Sequence, residues 1–415
     1  MSSSPLPSTT DYIAATRSSC LEVSTALNLL PDIPSIDAFL LSLDHATFSR
    51  LCTQHGLSFP LRFPTPTAEI NFLSILALLN AFSAYRGAFH RATGMGAYQN
   101  VVRLLMGMYI SSEEDGVVGA KGLTSEGMVE VGEGRVVELL GVSVHEEREH
   151  ETLKGVVVGV RGGEMLQVVR LIVDTLQGVG RKLVEKNFSS LGAYVVQLLQ
   201  QTKSKNLTDQ EATNYLVQQL ATTLPEFRDT HHLPTTNQNV YLFKRIFFLL
   251  HSLHLKFPNH HHPSSLHIPN TTPYLPMFVD NVLPTLCVYH HLLSPPPTLP
   301  RNMQTLHNWI TQNHHHHHLT ELTRTNHDHT DQTIVVEGPQ LTVDETYAVR
   351  AATLNVGRVV VERAKVLAEE GGGVGGREWL AGLNEVDLDG YLWAVAKDDA
   401  TLRKVPRFRF ASVHF

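Results

Sequence analysis

The stretch LPMFVDNVLPTLC, Leu275 to Cys287, places a carboxylate and an amide, Asp280 and Asn281, inside an otherwise apolar run. A carboxylate removed from water without a partner is strongly destabilising, so Asp280 needs a hydrogen-bonded partner, a raised pKa or access to solvent. Two compatible roles follow. Asp280 can cap a helix beginning at Val282 with Pro284 in its first turn, because Asp and Pro both favour helix starts. A helix start can also hold a carboxylate rigidly at the edge of a pocket. Other chemistry-bearing patterns are weaker. The run His314 to His318 offers imidazoles but no carboxylate or thiol at fixed spacing, so it does not build a closed metal site. GGGVGG has no following GK[ST] and no preceding buried strand, and the GMG of Gly94 to Gly96 is too short for a dinucleotide loop.

The elements that position such residues are helical. In EMLQVVRLIVDTLQGVGRKLVEK, Leu166, Val169, Val173, Leu176 and Leu183 recur near a 3.6 period, which predicts an amphipathic helix. Thr208 with Glu211 and Thr342 with Glu345 form capping-box patterns before apolar runs, and each predicts a helix start. Short strands are expected only at TIVVEG, 333 to 338, and in the C-terminal RFRFASVHF. Proline-, histidine- and glycine-rich segments read as loop insertions near 257–274, 294–302, 312–332 and 369–378, inside one α-helical domain spanning 21–415 after a disordered 1–20.

At 415 residues with 42% hydrophobic content, the chain can bury a substantial core. A net charge of -7 gives no overall basic field of the kind that holds polymeric nucleic acid, although one or two local cations suffice for a small anion. Cys20, Cys52 and Cys287 have neither the number nor the spacing of a disulfide framework or a zinc site, which points to a reducing compartment. The N-terminus lacks signal-peptide character, and the longest apolar stretch, Phe72 to Phe82, is too short to span a bilayer. The expectation is a soluble protein of the cytosol or nucleus with no membrane partner.

Four segments taken in order are more specific: LPEFRD (224–229), VYLFKR (240–245), LPMFVDNVLP (275–284) and LDGYLW (388–393). Together they resemble the queuosine salvage proteins, the queuosine 5'-phosphate N-glycosylase/hydrolase family. The family's pattern runs FPxYRD, FYKRAQ, TMFADYRxPQ, an EIRA helix and (L/V)DxYLW, with a PxHRT-like C-terminus. Here the EIRA helix corresponds to AVRAAT (348–353) and the C-terminus to VPRFRF (405–410), and AEINFLS, which contains Asn71, aligns with an LNFSFW segment. The resemblance implies a mainly α helical bundle similar to helix-hairpin-helix DNA glycosylases. It also implies metal-independent and cofactor-free hydrolysis of the N-glycosidic bond of queuosine 5'-monophosphate, releasing queuine and ribose 5-phosphate.

On that resemblance, Asp389 is the candidate carboxylate facing the positive charge that builds on C1' and the ring oxygen. Trp393, four residues on and on the same helical face, walls the pocket. Beside Glu385 and Asp387, Asp389 also reads as part of a solvated acidic surface. Asp280 corresponds to the Asp of the ADYR segment and would accept two N–H bonds from the base, with Phe278 flanking it. Asn281 and Asn71 complete the ligand-binding set. Lys244, Arg245 and Arg350 are candidates for the 5'-phosphate, and Arg228 with Asp229 for a structural ion pair. The chain departs from the pattern at four places: Asn281-Val282 replace Tyr-Arg, Ala348 replaces Glu, and Ser252 and Phe408 stand where an Asp and a His are usual. Two alternatives therefore stay open, a paralogue that binds a nucleotide or base without hydrolysis and a helical interaction protein.

Overall fold

Every residue from Glu345 to Gly357 is buried, so the helix that contains them, Val343–Glu370, runs through the centre of the molecule. A helix buried all round needs neighbours on every face, and its buried Glu345 and Arg350 need polar partners there. The computed structural model describes residues 5–53, 56–110, 121–257, 266–315, 337–370 and 376–410. In chain order these form α1 (Tyr12–Ala26), α2 (Ile33–Ser42), α3 (His45–Leu51), α4 (Pro66–Leu79), α5 (Arg86–Thr93), α6 (Ala97–Ile110), α7 (Ser125–Glu130) and α8 (Glu133–Leu140). Then come a hairpin β1 (His145–Glu149) and β2 (Val157–Arg161), α9 (Gly163–Glu185), α10 (Leu191–Ser204), α11 (Asp209–Thr223), and a second hairpin β3 (Thr230–Leu233) and β4 (Gln238–Tyr241). The chain continues through α12 (Lys244–Lys256), α13 (Val282–Tyr289), α14 (Gln304–His315), β5 (Glu337–Gln340), the central α15 (Val343–Glu370), α16 (Glu385–Asp398) and β6 (Arg407–Arg409). The fold is mainly α, as expected.

Local chemistry accounts for the element starts. Thr208 Oγ1 accepts from Glu211 N and Glu211 Oε2 accepts from Thr208 N, closing the capping box of α11. Thr342 and Glu345 form the same reciprocal pair at α15 (2.9 and 3.2 Å), and Glu345 Oε1 also accepts from Leu306 N, so the cap fixes α14 as well. Gly94 ends α5 with φ +72°, a left-handed conformation at which a side chain is strained, so the GMG segment is a helix stop. In α9, Leu166, Val169, Val173, Leu176 and Leu183 are all buried, as their spacing predicts. α4, a strongly apolar helix, is sheathed by α6, α10 and α12. No single helix among the described residues is long and apolar enough to cross a membrane.

Three sequence expectations are corrected. Residues 1–20 were expected to be disordered, yet α1 begins at Tyr12 and packs on α15 and β4. Its Ser and Thr hydroxyls bond back into the helix (Thr16 to Tyr12 O, Ser19 to Thr16 O), which lets them be buried beside Tyr12, Ile13, Cys20 and Val23. The insertion placed at 257–274 is a surface loop in no simple sense. Leu266, Ile268 and Thr271 are buried, His267 N donates to Leu199 O of α10, and Thr271 Oγ1 bonds His251 Nδ1 of α12. Both hairpins went unforeseen; β1–β2 is almost wholly exposed and its strands carry no alternating apolar pattern. The two expected strand regions pair with each other, β5 running parallel to β6 with Glu337 opposite Arg407. Residues 333–336 and 316–318, parts of the TIVVEG and polyhistidine readings, lie outside the described residues.

Candidate active site

The segment Met277 to Asn281 crosses the core without regular structure; side chains of two helices hold its backbone, and its own Asn281 side chain ties it to a strand. Phe278 N donates to Asp389 Oδ2 (2.6 Å) from α16. Arg350 Nε and Nη2 of α15 both donate to Val279 O (3.0 and 2.9 Å). Asn281 Nδ2 donates to Phe408 O of β6 (3.1 Å). Asp280 then turns its own carboxylate to the first turn of α13, where Oδ1 accepts from Val282 N (2.6 Å). The capping role and the pocket-edge role coincide, because Asp280 also lines a cavity of about 610 Å³. That size suits a small ligand.

The cavity has an aromatic wall and a cationic rim. Trp393 meets Tyr98 edge to face, with centroids 5.4 Å apart at 87°, and Tyr98 OH donates to Gly56 O (2.9 Å), which pins the wall. Lys397, one turn beyond Trp393, lays its ammonium over the indole face, a cation–π contact. Arg86, Arg403 and Arg407 complete the rim. Their order follows from the end of α16, whose unpaired carbonyls attract cations: Arg403 Nε donates to Lys397 O (2.9 Å) and Arg407 Nη2 to Ala396 O (3.2 Å). Arg86 Nη2 donates to Arg403 O (3.1 Å). Asp280 is the carboxylate among the lining residues. Ser83 Oγ, also in the lining, and Asn281 Oδ1 behind it are buried with no hydrogen-bond partner among the described residues. Buried polar atoms left this way are suited to a bound polar group.

Electrostatics follow from enclosure. Burial pushes Asp389 up to about 7, Asp280 adds to the shift, and the Phe278 N–H and Lys244 oppose it. Burial pulls Lys244 down to about 8, partly offset by Asp280. Lys397 falls well below the usual lysine range through burial and the neighbouring Arg407, with Asp280 opposing. His90, also in the lining, is lowered by burial and by Arg86.

The structure brings only part of the expected set together. Asp280 and Trp393 line the cavity. Asp389, Phe278, Asn281 and Lys244 form the layer behind it; Asp389 is buried, so the acidic-surface reading of EVDLDG does not hold at that residue. Phe278 packs inward on Phe248 and His251. Lys244 Nζ donates to Asn80 O (2.7 Å), and Arg245 donates to Leu78 O (2.9 Å) and Glu226 O, so both neighbours close the C-terminal end of α4. Arg350 makes a bidentate pair with Asp229, both fully buried, while Arg228 bonds Ala221 O and Thr222 O at the end of α11; the ion pair of Asp229 is with Arg350. Asn71 Nδ2 donates to Leu123 O and its Oδ1 accepts from Gly192 N, at a crossing so close that a Cβ on Gly192 would stand 2.5 Å from Asn71 Cβ. Arg245, Arg350 and Asn71 therefore build the scaffold.

Sequence reasoning missed Arg86, Arg403, Arg407, Lys397 and Tyr98. Lys397 carried a signal in its i+4 spacing from Trp393, and Arg407 stood in the VPRFRF segment noted only for its missing His. No protein-family profile matches the chain, and no curated protein matches it.

Proposed function

We propose that the protein hydrolyses the N-glycosidic bond of a 7-deazaguanine ribonucleotide, most simply queuosine 5'-monophosphate, releasing the base and ribose 5-phosphate. The observation that carries this reading is that a rigidly held carboxylate, Asp280, and three arginines line one cavity. Cleaving an N-ribosyl bond develops positive charge at C1', and a 5'-phosphate keeps negative charge at the other end of the sugar. A cavity lined by one carboxylate and several cations offers a counter-charge to each. The role at C1' passes in this reading from Asp389 to Asp280, because Asp280 lines the cavity and Asp389 lies behind it. Asp389 is then a positioning residue that holds Phe278 N and so the path of the loop. Trp393 and Tyr98 enclose the sugar and base, and Ser83 Oγ supplies an unmet hydrogen bond for a ligand hydroxyl. Arg86, Arg403 and Arg407 take the phosphate role first sought at Lys244 and Arg350.

The burial of Asp389 favours a second reading, a protein that binds the nucleotide or base without cleaving it. Queuine release from queuosine 5'-monophosphate under single-turnover conditions, alongside binding of free queuine, separates the two. Release by the wild type that falls with Asp280→Asn supports the hydrolase; binding of queuine with no release from the monophosphate supports the second reading; neither release nor binding removes both. The reading places the protein in the cytosol or nucleus, where tRNA modification uses salvaged queuine.

A further inference from the structure

We infer that Lys397 is a reactive amine that captures a phosphorylated aldehyde as an imine inside the cavity. The hydrolase reading assigns Lys397 no chemistry, yet its position is unusual among the lysines. Its side chain lines the cavity, and its ammonium rests on the Trp393 indole face with no hydrogen bond or ion pair among the described residues. Lys182, by contrast, is exposed and paired with Glu185, and Lys244 is spent on Asn80 O.

The surroundings favour the neutral amine. Arg86, Arg403 and Arg407 share the cavity with Lys397 against the single lining carboxylate of Asp280. Arginine keeps its proton at any ordinary pH, so lysine is the cation that can relieve the repulsion by losing one. Burial acts in the same direction. A partly buried lysine beside other cations is an arrangement that favours a nucleophilic amine toward carbonyl carbon. The three arginines define what else the ligand carries, a phosphate, for which guanidinium geometry is suited.

The step balances without a further reactant. The Nζ lone pair attacks the aldehyde carbon and forms a C–N bond; both amine hydrogens then leave with the carbonyl oxygen as water, and a C=N bond remains. Asp280 can carry the protons between nitrogen and oxygen. The inference rests on the hydrolase reading for the choice of aldehyde: the ribose 5-phosphate released by that reaction opens to a phosphorylated aldehyde within reach of Lys397.

The test uses the full wild-type chain with ribose 5-phosphate and sodium cyanoborohydride, which reduces an imine to a stable secondary amine, followed by peptide mapping by mass spectrometry. Lys397 should gain the mass of the sugar phosphate less one oxygen. Because a depressed pKa raises the free-amine fraction at neutral pH, labelling of Lys397 should exceed that of the exposed lysines severalfold. Ribose without phosphate should label it far less. Labelling spread over exposed lysines such as Lys154 and Lys182, equal labelling by ribose, or an unmodified Lys397 would each overturn the inference. Trapping starts from the sugar phosphate and needs no bond cleavage. Selective trapping with no queuine release would retain the inference and remove the hydrolase; queuine release with Lys397 unmodified would do the reverse.

Discussion

Phe278 N and Asp389 Oδ2 lie 2.6 Å apart, and through that contact the helix carrying Trp393 and Lys397 is fastened to the loop carrying Asp280. The aromatic wall and the carboxylate of the cavity therefore move as one unit, and a change at either end of the bond is felt at the other.

Asp280→Asn should leave the fold intact, since its amide oxygen can still accept from Val282 N. Hydrolysis of queuosine 5'-monophosphate should fall by roughly 10² to 10³, the scale for removing one electrostatic group aimed at a transition state. Single-turnover release of queuine reads this directly, and an unchanged rate would take Asp280 out of the mechanism.

Arg407→Gln should weaken binding of the 5'-monophosphate while leaving the nucleoside nearly unaffected. The lost charge-assisted contact corresponds to about 1.5 to 3 kcal/mol. Calorimetric titration with both ligands measures the difference. Equal losses for the two would mean that the rim does not contact the phosphate.

Arg350→Met should destabilise the protein by about 3 to 5 kcal/mol, because it breaks a fully buried bidentate ion pair with Asp229. Tyr347 OH also donates to Asp229 Oδ1 at 3.0 Å, a contact weaker than the ionic one. Urea unfolding gives the value; a loss under about 1 kcal/mol, the range of exposed pairs, would contradict a scaffold role.

Stability should depend on pH through Asp389. Its folded pKa of about 7 lies above the ordinary value of 3.8, so the folded state holds the proton more tightly. The resulting stabilisation is complete below about pH 4 and is lost as the pH rises through 7. Asp389→Asn removes this titration and should flatten the stability profile between those limits. Thermal unfolding across that window, compared between wild type and variant, decides the point; superimposable slopes would show that another group titrates there.

The helices were legible because periodicity and caps are local: Thr208, Glu211, Thr342 and Glu345 signal their helix starts within four residues. Asp280 was legible for a related reason, a charge in an apolar run. What failed was anything set by tertiary partners. Lys244, Arg245 and Arg350 have the residue types of a phosphate site, but the carbonyls of α4 and the carboxylate of Asp229 claim them, and neither partner is near in sequence. Arg86, Arg403 and Arg407 look like surface cations until the end of α16 draws them together. The disorder expected of residues 1–20 came from composition, which does not register hydroxyls bonded back into a helix.

Within Met277 to Asn281, the amide of Phe278 and the carbonyl of Val279 are fixed by Asp389 and Arg350, and the tie to β6 is made by the segment's own Asn281 side chain, so the path through Phe278 and Val279 depends little on which side chains those two residues bear. Such a segment behaves as a mount with exchangeable fittings. Val282, which lines the cavity, can differ in side chain without displacing Asp280, because Asp280 accepts from its backbone N–H. Ligand preference in this architecture can thus drift by single substitutions, at small risk to folding, while the position of the carboxylate is inherited unchanged.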